Sequence, residues 1–217
     1  MTILIIIILV VGVIAYFKIK SDPEEVQKLC EGKNEQIKEV IRYLYPVEGC
    51  GKKAIWTDEQ FDDYLKSKIQ DLQKRALDKI GIDIEQVKEV EPIHLENNLY
   101  SKAMARRGND RRWRSSRYQV TWIFFSDKQI LLYQKTIDLI NQDSKERTEE
   151  YFYKDVTNIK TIDEEERLTI NGEKQTVNYV TFKIVVPGEE FACAMQTNDY
   201  TERSIQAMKA KLREKKC

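Results

Sequence analysis

The residues best suited to chemistry form one basic segment in the middle of the chain. Between residues 101 and 117 there are seven Lys or Arg residues and one acid, Asp110, which leaves a formal charge of +6. Lys and Arg donate charge-assisted hydrogen bonds to anionic oxygens. Trp113 lies among the arginines, where it is suited to a membrane interface or to stacking on a base. The predicted binding residues are Lys102, Arg106, Arg107, Arg111, Arg112, Trp113, Arg114 and Arg117.

The charge of this basic segment leaves four interpretations open. A run of like charges is typical of a solvated loop without a ligand. Contact with an anionic membrane surface, binding to nucleic acid and binding to an acidic protein partner are the other three. The chain as a whole favours none of them, because it contains 36 basic and 36 acidic residues. Its 33% charged residues exclude a protein with many membrane spans.

Other reactive residue types lack the spacing of a known site. Residues 49–53 read GCGKK, without the upstream glycine or the Ser or Thr of a phosphate-binding loop. His94 is the only histidine and has no neighbouring nucleophile, and the acids at 163–166 are expected to form a solvated turn. We predict no catalytic residue, cofactor, metal site or small-molecule substrate; an enzyme of unrecognised type, testable at His94, is the remaining alternative.

The four cysteines predict free thiols. Cys30, Cys50, Cys193 and Cys217 lie far apart, and no C-x-x-C pair is present. A disulfide framework or a zinc site needs closer spacing or more histidines. Cys217 ends the chain without the residues that direct prenylation. Reduced thiols are typical of a cytosolic setting.

The N-terminal segment predicts a membrane anchor. Residues 2–17 read TILIIIILVVGVIAYF, sixteen residues without a charge and without a polar face. As a helix they span about 24 Å, which is short of a bilayer core of about 30 Å. The long side chains of Lys18 and Lys20 can cover part of the difference by reaching the interface. We therefore assign residues 1–20 to a transmembrane anchor.

The charges around this segment predict its orientation. A cleaved signal peptide is the alternative, but no basic side chain precedes the apolar run, and only Val13 and Ala15 resemble a weak cleavage site. Lys18 and Lys20 follow the run, and positive charge marks the cytoplasmic side. We expect a single-pass protein of the cell membrane whose C-terminal body lies in the cytoplasm.

Residues 21–98 have helical periodicity. A start at Ser21 and Pro23 is followed by an apolar stripe up to Leu44, which Gly32 is expected to kink or divide. A second helix is predicted over residues 57–80, with a capping box of Thr57 and Gln60 at its start and Gly81 at its end. The helices are expected to pair as a hairpin or to pack on the C-terminal domain. The stripe of helix 57–80 is interpreted as core, or alternatively as a docking surface for another membrane protein.

Beyond a basic loop at 99–116, the period changes to two. Tyr118, Val120, Trp122 and Phe124 alternate with their neighbours and predict a strand with one strongly buried face. Five or six antiparallel strands are expected, followed by a helix that Asp199 and Glu202 cap and that buries Ile205, Met208 and Leu212. The predicted class is α+β: a transmembrane helix, a helical hairpin region, and over residues 117–217 an antiparallel bent sheet or partly open barrel closed by the C-terminal helix.

Three stretches carry a family resemblance. They are WIFFSDKQILLY at residues 122–133, YFYKDVTNI at residues 151–159, and the helix from Asp199. Their order resembles the bacterial pleckstrin-homology-like (PH-like) domains, including the GRAM-like group, over residues 117–214. Ser126 and Phe152 depart from the commoner residues of those motifs. Residues 21–98 resemble no family that we recognise.

The resemblance implies a binding or scaffolding fold without catalytic residues. Some relatives bind lipid headgroups and many bind proteins, so the ligand class does not follow from the fold. The sequence therefore predicts a membrane-anchored cytoplasmic adaptor or sensor that presents a PH-like domain to a protein or an anionic lipid. The alternatives are a structural subunit that docks through helix 57–80 and an effector that binds nucleic acid through the basic loop.

Overall fold

The structure is a computed structural model that describes residues 23–45, 56–87, 91–170 and 173–216. The predicted anchor at residues 1–20, the segment at residues 49–53, Cys50 and Cys217 lie outside these ranges. Within them, no helix has the length and apolar character needed to cross a membrane.

Four helices come first: α1 (Glu24–Cys30), α2 (Glu35–Leu44), α3 (Asp58–Ile69) and α4 (Leu72–Ile80). As predicted, Gly32 separates α1 from α2, and its φ of +68° is a conformation that glycine adopts without strain. The predicted capping box at Thr57 and Gln60 is present, and α4 ends at Gly81, also with positive φ. The single helix predicted over residues 57–80 is wrong, because the chain breaks at Gln70 and Asp71.

Nine strands follow within the described ranges, and the C-terminal helix α5 covers Asp199–Lys216. All strand pairs are antiparallel, in a four-stranded sheet of order β1-β4-β5-β6, a three-stranded sheet of order β7-β8-β9 and the separate hairpin β2-β3. The α+β class with antiparallel sheets and a C-terminal helix is therefore confirmed, and the sheets do not form a closed barrel. The strands are β1 (Ile93–Leu99), β2 (Ala105–Arg107), β3 (Trp113–Ser115), β4 (Arg117–Phe125), β5 (Gln129–Asp138), β6 (Ser144–Phe152), β7 (Asn158–Ile170), β8 (Glu173–Val186) and β9 (Glu189–Met195).

Several predicted boundaries need correction. The helical region was expected to extend to residue 98, but Ile93–Leu99 is a strand that pairs with β4. The expected loop at residues 99–116 contains the hairpin β2-β3. The acids at residues 163–166 lie along β7, which pairs with β8, rather than in a turn. In each case the local composition indicated a loop, a turn or a helix. The backbone N–H and C=O groups of the segment instead form hydrogen bonds to a neighbouring strand.

The central strands β4 and β5 of the four-stranded sheet are buried on both faces, so the prediction of one buried face for β4 is also wrong. Ile123 and Phe125 pack between the two large sheets, in the same core as Ile205, Met208 and Leu212 of α5. Val120 faces the helices, in a cluster with Ile41 of α2 and Phe61 of α3. Tyr43 of α2 also stacks on Phe61, with ring centroids 4.7 Å apart. The helices therefore pair with one another and cover the sheet.

The cap of α5 differs from the predicted one by one residue. Thr201 donates its backbone N–H to the Asn198 side chain at 2.9 Å, and Asn198 donates its own to the Thr201 hydroxyl at 3.1 Å. This reciprocal pair stands where Asp199 and Glu202 were expected to cap the helix.

Candidate binding site

The basic segment folds into a short hairpin. Arg107 of β2 pairs with Trp113 of β3. Two backbone hydrogen bonds close the tip of the hairpin. Gly108 N–H donates to the Arg112 carbonyl at 2.8 Å, and Arg111 N–H donates to the Gly108 carbonyl at 3.0 Å. The cations are thus carried on an ordered projection rather than on an open loop.

Arg114 is the exception among the predicted binding residues, because it is buried. Its guanidinium donates two hydrogen bonds of 2.7 Å to Asp62 on α3 and two of 2.9 Å to Asp110 at the hairpin tip. Only 4% of Arg114 is exposed. Bidentate pairs of this kind combine strength with fixed geometry. Arg114 therefore fastens the hairpin to the helix, and its guanidinium is not presented to a surface.

Asp58 at the start of α3 supports the same junction. Its Oδ2 accepts the backbone N–H of Asn109 at 2.7 Å, and its Oδ1 accepts the hydroxyl of Tyr43 at 2.7 Å. The hydrogen bonds from Arg114 hold the pKa of Asp110 well below its usual range. We call Asp58, Asp62, Asp110 and Arg114 the clamp.

Two further predicted binding residues have structural partners. Arg106 donates to the Tyr43 carbonyl at 2.8 Å, and its guanidinium lies 4.8 Å from the centre of the Tyr43 ring. Arg117 donates to the Ser101 carbonyl at 2.7 Å. Both side chains are half-buried, so their charges are drawn toward the body of the domain.

The remaining cations face solvent. Arg107, Arg111 and Arg112 are exposed around the tip, and Lys102 is exposed in the turn before β2. Trp113 is half-buried and meets Tyr100 edge to face at 6.5 Å. The structure thus divides the predicted set into an outward group of Lys102, Arg107, Arg111 and Arg112, which we call the cationic tip, and an inward group that holds the hairpin.

A cavity of about 370 Å³ adjoins the hairpin. Lys66 and Ile69 of α3 form one wall, His94 and Glu96 of β1 form another, and Arg112 and Tyr118 complete it. The polar side chains reach it because β1 alternates: Ile93 and Leu95 enter the core between the sheets, which turns His94 and Glu96 to the opposite face.

His94 and Glu96 are neighbours in this wall. The His94 ring stacks on Trp122 with centroids 4.5 Å apart, and its Nε2 lies 3.4 Å from Glu96 Oε2. Burial lowers the pKa of His94, so its imidazole is neutral at pH 7. Burial, with the nearby Glu96 carboxylate, raises the pKa of Tyr118, which keeps that phenol protonated. Glu96 Oε2 is shielded from solvent and has no hydrogen-bond partner among the described residues.

Asp62, Glu96 and Tyr118 did not emerge as functional residues from the sequence. The signal for Glu96 was present, since polar His94, Glu96 and Asn98 occupy every second position beside apolar Ile93 and Leu95. That alternation predicts a strand with a polar face. No comparable pattern marks Asp62, which lies on a helix that is acidic throughout its first turns.

The described residues contain no group of three or more His, Cys, Asp or Glu side chains placed to hold a metal ion. Cys30 and Cys193 are both buried. Burial raises the pKa of Cys193 to about 12, so its thiol stays protonated at neutral pH.

Comparison of the chain with protein-family models, curated proteins and solved structures gave no significant match. The assignment of a function therefore rests on the contacts and charges of this chain itself.

Proposed function

We propose that this protein is a membrane-tethered, non-catalytic binding domain of the PH-like type, whose cationic tip contacts the anionic membrane surface. The uncharged run at residues 2–17 supports the tether. Antiparallel sheets followed by a C-terminal helix that packs in the core support the PH-like assignment.

The choice of an anionic surface as the ligand depends on one observation about the hairpin. The only acid of the basic segment, Asp110, is bound by the buried Arg114, while Arg107, Arg111 and Arg112 extend from the same hairpin into solvent. Asp110 is thus directed mainly at Arg114 and approaches the tip only through Arg112, at 3.9 Å, so most of the positive charge of the tip is not offset by its own segment. The clamp also fixes the hairpin in advance, which lowers the entropy lost on binding.

The expected strength fits a tethered domain. Each basic residue near an anionic leaflet contributes on the order of 1 kcal/mol, so the four cations of the tip contribute about 4 kcal/mol. That corresponds to a dissociation constant of about 1 mM. Such an interaction is too weak to recruit a free protein, but an anchor raises the local concentration enough for it to orient the domain.

Docking of another protein through helix 57–80 has less support. Phe61, Leu72 and Ala76 supply the apolar face of α3 and α4, and all three are buried against the domain itself. Binding of nucleic acid would use the same exposed arginines as the membrane proposal, and the experiment below includes it.

The test uses residues 21–217, whose folding is first checked by thermal unfolding. Co-sedimentation with vesicles is expected to rise with the fraction of anionic lipid and to fall with added salt. Changing Arg107, Arg111 and Arg112 together to Glu should abolish it. The same reversal at the exposed Lys128, Lys145 and Lys174, on other parts of the surface, should leave most of the binding.

Equal binding by both triple variants would overturn the tip as the contact surface. Arg114 is left unchanged in these variants, because reversing a buried guanidinium would disrupt the fold. Tighter binding of single-stranded RNA than of anionic vesicles, under the same salt, would favour the nucleic-acid alternative. The tether is tested separately: full-length protein that fractionates as an aqueous monomer would contradict it.

A further inference from the structure

Among the described residues, the Glu96 carboxylate has no Lys or Arg partner, unlike the carboxylates of Asp62 and Asp110 at the hairpin. The clamp provides Arg114 for Asp62 and Asp110. Among the described residues, the only basic group within ion-pair distance of Glu96 is His94, at 3.4 Å. Its imidazole is neutral at pH 7, because burial lowers its pKa. No Lys or Arg of the described residues therefore lies within ion-pair distance of the Glu96 carboxylate.

The position of this charge makes it accessible from one side. The Glu96 side chain is 28% exposed, and it forms part of the wall of the cavity beside the hairpin. The Tyr118 hydroxyl interacts with the Glu96 carboxylate, but Glu96 Oε2 has no hydrogen bond among the described residues. A shielded carboxylate oxygen in this state is costly unless a donor is supplied to it. Tyr118 and Trp113 add aromatic surfaces to the same cavity, and aromatic faces attract organic cations.

The cavity also contains cations. Lys66 and Arg112 both line it; Lys66 is exposed, and the Arg112 side chain is 81% exposed. Arg112 is only loosely associated with an acid, since its Nε lies 3.9 Å from Asp110. Asp62 and Arg114 also line the cavity, but they are paired with each other at 2.7 Å. The cavity therefore presents the Glu96 carboxylate, with no described Lys or Arg in ion-pair distance, in one wall and two solvent-exposed cations in the others.

We propose that this cavity binds a small zwitterion, with its ammonium group against Glu96 and its anionic group against Lys66 and Arg112. Two sources share this chemistry: a free amino acid, and the headgroup of an aminophospholipid. The proposal extends the predicted ligands to a small molecule, and it does not require the cationic tip to touch a membrane.

The experiment is isothermal titration of the full-length protein in a nonionic detergent. O-phosphoethanolamine and glycine represent the two sources. Ethanolamine, which lacks the anionic group, and inorganic phosphate, which lacks the ammonium group, are the partial probes. For ligands of this size a dissociation constant on the order of 1 mM is expected. Tighter binding of phosphoethanolamine than of glycine would assign the headgroup, and the reverse would assign the amino acid.

The variants separate the two ends of the ligand. Glu96→Gln should weaken binding of phosphoethanolamine and ethanolamine at least tenfold. Lys66→Ala with Arg112→Ala should weaken phosphoethanolamine about tenfold and leave ethanolamine unchanged. Glu150→Gln, an exposed carboxylate on the opposite edge strand of the sheet, is the matched control and should change nothing.

Two results would overturn the proposal. One is the absence of binding by any zwitterionic probe at concentrations up to about 20 mM, about twenty times the expected dissociation constant. The other is equal binding of phosphoethanolamine and phosphate, which would mean that the ammonium group is not recognised. The double variant at Lys66 and Arg112 keeps the test valid if Glu96→Gln fails to fold, because both side chains are exposed.

Discussion

Arg114 on β3 and Asp62 on α3 form a bidentate pair, with Nε–Oδ1 and Nη2–Oδ2 distances both of 2.7 Å. The pair joins the hairpin to the helical layer across 52 positions of sequence. It determines which arginines remain available, because it removes Arg114 from the surface while Arg107, Arg111 and Arg112 stay outside. The proposed membrane contact thus depends on a neighbouring arginine that cannot take part in it.

Replacing Arg114 should destabilise the domain. Arg114→Met keeps most of the side-chain length but removes the guanidinium that lies between Asp58, Asp62 and Asp110. Removing one partner of a buried pair costs about 3–5 kcal/mol. Asp62 and Asp110 are 48% and 37% exposed, so water screens part of this cost. We expect a loss of about 2 kcal/mol in the free energy of unfolding, measured with urea.

The matched control is Arg112→Met, the same change on an exposed arginine two positions away, with an expected effect within about 0.5 kcal/mol. Arg114→Lys should recover little of the lost stability, because an ammonium group cannot form the two parallel hydrogen bonds to a carboxylate that a guanidinium forms. Equal stability of the two Met variants would show that the clamp does not hold the hairpin.

Gly108→Ala should destabilise the hairpin by a different route. A Cβ at this position would overlap Arg114 Nη1 and lie 2.6 Å from Asp58 Oδ2 and 2.8 Å from Asp110 Oδ1. These atoms belong to flexible side chains, but the clamp holds them in place. The added methyl group must therefore displace the ion pairs, at a cost of about 1–3 kcal/mol. The drop in midpoint temperature checks this expectation.

A double-mutant cycle tests the stated cause. In the Arg114→Met background the same methyl group meets no guanidinium, so its cost should fall by at least about 0.5 kcal/mol. Asn109→Ala changes the adjacent exposed residue and should be nearly neutral. If the two substitutions are additive, the crowding around Gly108 does not act through Arg114.

Acid should destabilise the protein partly through Glu146 on β6. The hydrogen bond from Arg75, together with those from Tyr133 and Lys135, lowers the pKa of Glu146 to about 2 from its ordinary value of 4.5. Because the folded-state pKa is the lower one, the contribution is present above about pH 4.5 and is lost as the pH falls toward about 2. Glu146→Gln should therefore reduce the acid-induced loss in the free energy of unfolding by about 2 kcal/mol, after allowance for the exposure of Arg75.

Urea unfolding at a series of pH values between about pH 7 and about pH 2.5 provides the measurement. Glu150→Gln serves as the control, because its exposed side chain lies on the same strand. If Glu146→Gln loses as much free energy of unfolding in acid as the unchanged protein, Arg75 does not hold this carboxylate in its charged form in solution.

Much of the local structure could be predicted. Thr57 and Gln60 form their capping box, Gly32 and Gly81 adopt the positive φ expected of helix ends, and Ile205, Met208 and Leu212 enter the core. Each of these features depends on residues within a turn or two of the chain. A side chain that reaches its own backbone, or a stripe repeated every three or four residues, is visible in the sequence.

The site was only partly predictable. The basic segment was found by its charge, but its division into exposed and buried arginines was not, because Arg114 pairs with acids whose nearness depends on how α3 meets the hairpin. Strand β1 was assigned to the helical region. Its seven residues, with polar side chains at alternate positions, are only a weak local indication of a strand, and the strand forms because β4 pairs with it.

The sequence by itself thus determined where helices start and end, which residues are apolar and where positive charge accumulates. Tertiary structure alone decided which arginines face solvent, that β4 and β5 are buried on both faces, and that Glu96 lines a cavity with no described Lys or Arg within ion-pair distance of its carboxylate. The physical reason is the separation along the chain of the residues that interact. Caps and periodicity arise from neighbours along the chain, whereas ion pairing and burial depend on which distant elements the packing brings together.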